Sequence, residues 1–213
     1  MPELNPALSP ELSTAAAAPG SPQAGQRPRL GFIGPGRITQ ALALALQRAG
    51  WPVDMLAGRS PQGAERLAGW LAAQPGGAAP HCSSPQALVD QVDLVILGVP
   101  DDAIRSVVDA LRWRPGQAVV HCSGATEVAV LDAAVRQGAQ AGGFHPLQIF
   151  SDPQRAAELL AGSCVAIEAD GALQVTLRQL AQALGMRPIT LPPGMRARYH
   201  AAAGHAASSL LPV

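Results

Sequence analysis

A glycine turn set between a short apolar segment and a helix constrains this chain more than any other feature. Leu30-Gly31-Phe32-Ile33 has the length and character of a buried strand, and it runs directly into Gly34-Pro35-Gly36-Arg37-Ile38-Thr39. The helical pattern that follows spans residues 37–49 and is closed by Gly50. In a strand–turn–helix unit this Gly-x-Gly-x-x-Thr spacing has a physical meaning. Gly34 permits the tight turn, and Gly36 lets a pyrophosphate approach bare backbone. The amides that open the helix face the anion. Pro35 removes one donor from the loop, so Arg37 and Ile38 are expected to supply theirs instead. Thr39 stands where a third glycine is usual for close packing of helix on strand, and some packing cost is expected there.

The rest of the chain repeats the alternation of short apolar runs and helical segments. A second strand is expected over residues 53–57. A helix over 61–73 opens with Ser60-Pro61, a cap followed by proline at the first helical position. A weak third strand near 81–83 precedes Ser84-Pro85, a second such start. Residues 93–99 form a continuous apolar run, as in a strand covered on both faces. Then come a helix to about 111 capped by Asp101, a strand over 117–122, a helix over 126–137 and a strand over 139–144. Two further strands, 164–168 and 187–191, flank a helix over 172–184, and a last helix begins near Gly194. This pattern predicts an α/β fold with a doubly wound, mostly parallel sheet. Residues 1–28, rich in Pro, Ala and Ser, read as a disordered leader.

Composition narrows the partners. The 213 residues include 15 basic and 15 acidic side chains, so the net charge is zero, and there is no basic stripe to engage nucleic acid. Every basic residue is arginine. Cys82, Cys122 and Cys164 lack metal-ligand spacing and are expected as free thiols. No run approaches eighteen apolar residues, and the start lacks the pattern of a signal peptide, so a cytoplasmic protein without membrane contact is expected.

Cofactor preference turns on the end of the second strand. An NAD-binding domain usually carries a carboxylate there, whereas this chain reads Met55-Leu56-Ala57-Gly58-Arg59-Ser60, with Asp54 too early in the strand. Arg59 can pair with a 2′-phosphate and Ser60 can hydrogen-bond to it, which favours NADP. The alternatives are a solvated loop arginine and a serine that only caps its helix. Three further strand ends carry candidate residues. Val99 and Pro100 would lie against the ribose and nicotinamide. Ser123 follows a strand that contains His121, and Gly124 beside it allows close approach of a ligand. His145, held by Pro146, is placed for acid–base work near neutral pH. For His121 a hydrogen-bonded buried histidine is the simpler reading, and for Asp101 capping alone weighs equally with a ligand role.

The segments GFIGPGRITQAL, DLVILGVPDDAI, VVHCSGA and GFHPLQIF resemble, in this order, the Rossmann-like NADP oxidoreductases that carry a C-terminal domain of unknown function. That family shares a superfamily with pyrroline-5-carboxylate reductase and 6-phosphogluconate dehydrogenase. A weaker likeness is to prephenate and arogenate dehydrogenases, which place a substrate-side serine and His-Pro at the positions of Ser123 and His145. The resemblance implies a Rossmann domain over residues 29–193 and the first helix of a helical domain over 194–213, with the rest of that domain truncated. It also implies His200 near the cofactor cleft, and a homodimer once the helical domain is supplied. The expected activity is an NADP(H)-dependent oxidoreductase, or its cofactor-binding part, acting on a small carbonyl, imine or hydroxyl compound. The rival is a non-catalytic nucleotide-binding sensor, since the superfamily's catalytic lysine and asparagine have no equivalent here.

Overall fold

The computed structural model describes residues 27–209; the leader expected over residues 1–28 lies almost wholly outside them. Eight strands form one sheet: β1 (Leu30–Ile33), β2 (Met55–Ala57), β3 (His81–Cys82), β4 (Leu94–Leu97), β5 (Ala118–His121), β6 (Gln140–Pro146), β7 (Cys164–Glu168) and β8 (Arg187–Thr190). Their order is β3-β2-β1-β4-β5-β6-β7-β8. The first six thus follow the 3-2-1-4-5-6 order of a doubly wound dinucleotide fold. All pairings are parallel except that of β6 with β7.

Side-chain alternation sorts the core into two layers. Leu94 and Ile96 of β4 pack on one face with Phe32, Leu56 and Phe144. Val95 and Leu97 pack on the other with Ile33, Met55 and Val119. The first layer is covered by α1 (Arg37–Arg48), α2 (Pro61–Ala72), α6 (Pro153–Glu158) and α7 (Gly171–Ala183). The second is covered by α3 (Pro85–Val89), α4 (Ile104–Asp109) and α5 (Asp132–Val135). All four residues of β4 are buried, which is why its sequence is continuously apolar rather than alternating. Each such side chain contributes about 1.5–3 kcal/mol by leaving water. A final helix, α8 (Arg196–Ser209), leaves the end of β8.

Several expected elements differ in detail. Asp101 does not cap a helix: Pro100 precedes a short 3-10 turn over Asp101–Ala103, and the carboxylate binds elsewhere. The helix expected over 126–137 is broken into a 3-10 turn (Val128–Leu131) and the single-turn α5. The β-branched Val128 and Val130 weaken helix propensity there, and Leu131 at φ −91°, ψ 7° marks the break. Helix α6 was not anticipated, although Asp152-Pro153 is a third cap-plus-proline start. Asp152 Oδ1 accepts from the amides of Gln154 and Arg155, and the helix lies against α1.

Candidate functional site

The glycine turn has the geometry that its sequence demands. Gly34 sits at φ +101°, and a Cβ there would lie 2.7 Å from the carbonyl oxygen of Gly98 and 2.8 Å from Val99 Cγ1. Its amide donates to the carbonyl of Ala57 at 2.9 Å, which ties the turn to the end of β2. Gly36 occupies the N-cap of α1 with no side-chain cap, and the first helical bond runs from the Gln40 amide to the Gly36 carbonyl. The amides of Arg37, Ile38 and Thr39 therefore open a twelve-residue helix with no side chain covering them, which is the donor set an anion needs. Thr39 is fully buried, and a Cβ on Gly98 would stand 2.0 Å from its hydroxyl. Gly98, just after β4, makes room for the threonine.

At the end of β2, Arg59 and Ser60 are both exposed. Ser60 occupies the N-cap position of α2, yet its side chain makes no cap bond, so the hydroxyl is not committed to that role. Asp54 faces the opposite end of the strand, where it accepts from the Leu30 amide at 2.7 Å. No carboxylate follows β2. Pro35 fits against α2 because residues 58 and 63 are glycines: a Cβ at either would lie within 2.9 or 3.1 Å of the proline ring. Beside it a cavity of about 190 Å³ lies between α1 and α2, lined by Pro35, Gln40, Gly63, Arg66, Leu67 and Trp70. It is too small to hold a dinucleotide.

A second group of residues gathers at the ends of β5 and β6. Ser123 Oγ donates to Asp101 Oδ2 at 2.6 Å and accepts from the Thr126 amide at 2.9 Å. The hydroxyl proton is thus already engaged. His145 is half-buried and meets two rings of α8 edge-on: His200 with centroids 5.5 Å apart and Tyr199 at 6.0 Å. Both histidines lean over Gly124, where a Cβ would lie 2.3 Å from His200 Nδ1 and 2.7 Å from His145 Nε2. A side chain at this point would require the two rings to shift. Burial, reinforced by His200 and Arg196 and opposed by Asp101, pulls the pKa of His145 down to about 4. Its imidazole is neutral near pH 7. His121, fully buried, is pulled down to about 3, chiefly by burial and next by the Arg196 charge, against a smaller opposing pull from Asp101 and the Glu127 backbone. Its burial is what a position inside a strand leads one to expect. Burial pushes the Cys122 thiol up to about 12, so it is inert.

The structure brings Ser123, His145 and His200 together, and places Gly34, Gly36, Arg37, Ile38 and Val99 at the neighbouring turn. Arg59 and Ser60 stand beyond it at the end of β2. Sequence reasoning missed the partnership of Asp101 with Ser123 and the burial of Arg196 against Glu168. Glu168 left a signal, a carboxylate ending an otherwise apolar strand; Arg196 left none. Among the described residues no cluster of His, Cys, Asp and Glu could hold a metal ion, and no helix is long and apolar enough to cross a membrane.

Strand order, the turn after β1 and the uncapped start of α1 together define a doubly wound α/β protein of the Rossmann type. The chain belongs to the Rossmann-like domain family, whose model matches residues 17–146, and residues 163–212 match the domain of unknown function DUF2520. No curated protein matches the sequence. Among solved structures, a protein of Thermotoga maritima superposes with a TM-score of 0.65 at 22% identity, over 84% of this chain and 63% of that one. Pyrroline-5-carboxylate reductase of Streptococcus pyogenes gives 0.64 at 22% identity, over 86% and 66%. An imine reductase of Aspergillus terreus, solved with a form of NADPH, gives 0.68 at 16% identity, over 86% and 62%. At these identities the likeness establishes the fold. The chain spans less than two thirds of the length of these three proteins.

Proposed function

We propose that this protein is an NADP(H)-dependent oxidoreductase, or the cofactor-binding part of one, that acts on a small carbonyl, imine or hydroxyl compound. The observation that carries the reading is the uncapped N-terminus of α1 behind Gly34 and Gly36, beside a β2 end that offers Arg59 and Ser60 and no carboxylate. Residues 29–193 form the cofactor domain, and residues 194–213 begin a helical part. The amides of Arg37 and Ile38 hold the pyrophosphate, Arg59 and Ser60 hold the 2′-phosphate, and Val99 and Pro100 line the path toward the nicotinamide. The similarity in fold to an imine reductase solved with NADPH supports the same cofactor.

When bound, the nicotinamide supplies or takes up a hydride. The chain's own residues manage the substrate oxygen or nitrogen. His145 is neutral at pH 7 and presents its Nε2 edge toward Gly124, where it exchanges a hydrogen bond with the substrate oxygen or nitrogen. A pKa pulled down to about 4 makes it a polar anchor rather than the base expected near neutral pH. Ser123, with its proton held by Asp101, offers a lone pair to a substrate donor. His200 closes the same cleft from α8.

The test is titration of the protein with NADPH and with NADH, followed by nicotinamide fluorescence, for the natural sequence and for Arg59→Asp. NADPH binding should weaken at least about tenfold in the variant, or about 1.4 kcal/mol, with NADH spared. Equal losses for both nucleotides would remove Arg59 from 2′-phosphate recognition, and no binding of either by the natural sequence would end the cofactor reading.

A further inference from the structure

Arg196 has no part in the reading above, yet it heads the large side chains with no solvent exposure. Burial of a guanidinium is costly unless partners compensate it, so its surroundings carry information. One terminal nitrogen lies 3.4 Å from Glu168 Oε2, and the other donates to the Ser123 carbonyl at 2.9 Å. The group lies against Gly143, where a Cβ would come within 2.5 Å of both terminal nitrogens. A side chain at this point of β6 would displace the guanidinium from this seat. Just before α8, the Gly194 amide donates to Glu127 Oε2 at 3.2 Å, so the connector from β8 is tied down twice.

The first residue of α8 thus touches three adjacent strands: Ser123 just after β5, Gly143 in the middle of β6 and Glu168 at the end of β7. One helical turn further on stand Tyr199 and His200, whose rings meet His145. His200 also faces Gly124, the residue next to the carbonyl that Arg196 holds. The charged and titratable groups around Arg196 are Glu168, Glu127, Cys122 and Tyr199, with His121 and His145 feeling its charge.

We propose that Arg196 is the positioning residue of this site: by clasping Ser123, Glu168 and the bare Cα of Gly143, it seats the first turn of α8 and so sets where Tyr199 and His200 meet His145. This rests on the site described under the proposed function and concerns the half of it that α8 supplies. The planar fork of arginine spans a carbonyl and a carboxylate at once, whereas a lysine is a point charge that cannot hold both in the same geometry.

The chain's single tyrosine makes the test specific. In the full chain, NMR should show a cross-peak between the Tyr199 and His145 rings and a depressed titration of His145. Arg196→Met should lose the cross-peak and raise the His145 pKa by at least about one unit, since the ring loses both burial and a neighbouring cation. Gly143→Ala keeps the arginine but places a methyl group on its seat. It should give the same loss, and it serves where Arg196→Met fails to fold. Arg196→Lys, the mildest change, should fall between. Any of these variants that folds with the full cross-peak and an unchanged His145 titration overturns the proposal, because Arg196 would then contribute stability alone. NADPH titration of the natural sequence reads the cofactor assignment separately: its failure would remove that assignment and leave the tyrosine–histidine result standing.

Discussion

His121 and His145 hold neutral imidazoles in or near the core, and the consequence is a defined response to acid. Their folded pKa values of about 3 and about 4 lie below the ordinary 6.5, with burial the largest cause for both. On acidification the unfolded chain takes up these protons first, near pH 6.5. The stability associated with neutral burial is therefore complete above about pH 6.5 and falls as the pH drops toward 4, by at most about 1.4 kcal/mol per pH unit for each histidine. Urea denaturation should show a clearly lower midpoint at pH 5 than at pH 7.5. His121→Phe, which removes the titrating ring from this buried position, should flatten that dependence. An unchanged midpoint across this range would contradict the burial of uncharged rings. At this scale the sequence was informative wherever a residue's role is local. Gly34, Gly36 and the absent carboxylate after β2 could be read directly, because turn geometry and strand ends are set by neighbours in the chain. Asp101 could not be read, because its partner Ser123 lies on a different strand end and only the sheet brings them together.

Helices and strands fit one another here through paired exceptions to the usual pattern. Thr39 occupies the position in α1 where a glycine would permit close packing, and Gly98 at the end of β4 supplies the missing space. Gly98→Ala should destabilise the protein by about 1–3 kcal/mol through overpacking. The double substitution with Thr39→Ala should recover most of that loss, so a double-mutant cycle by chemical denaturation would show strong coupling. Additive losses would mean that the two residues do not share the space. Elements with clean boundaries were legible: β4 from its unbroken apolar run, α2 and α3 from Ser-Pro starts, and α1 from its glycine at either end. The segment after β5 was not, since its small and apolar residues suit a helix by period while Val128 and Val130 resist one. Helix α6 carried the right signal in Asp152-Pro153, but it is short and offers too few turns for periodicity to register.

For the whole molecule, strand order decides where chemistry can occur. With β1 and β4 adjacent, the turns after them meet at the crevice where the winding of the sheet reverses, and ligands in such folds lie at the carboxyl ends of the strands. Strands β5 and β6 deliver Ser123 and His145 to the same edge, and α8 closes over them. The doubly wound class followed from alternation alone, but the antiparallel entry of β7 did not, because strand direction depends on how residues 147–163 return along the sheet. That reversal puts Glu168 level with Gly143 and gives Arg196 its partner. The central claim is that the glycine turn is the cofactor's anion site. Hydrogen exchange of backbone amides with and without NADPH tests it most directly. Saturation with NADPH should slow exchange at Arg37, Ile38 and Thr39 at the start of α1, with no comparable change along α7 on the same face of the sheet. Protection confined to other segments, or absent while NADPH is bound, would contradict the account.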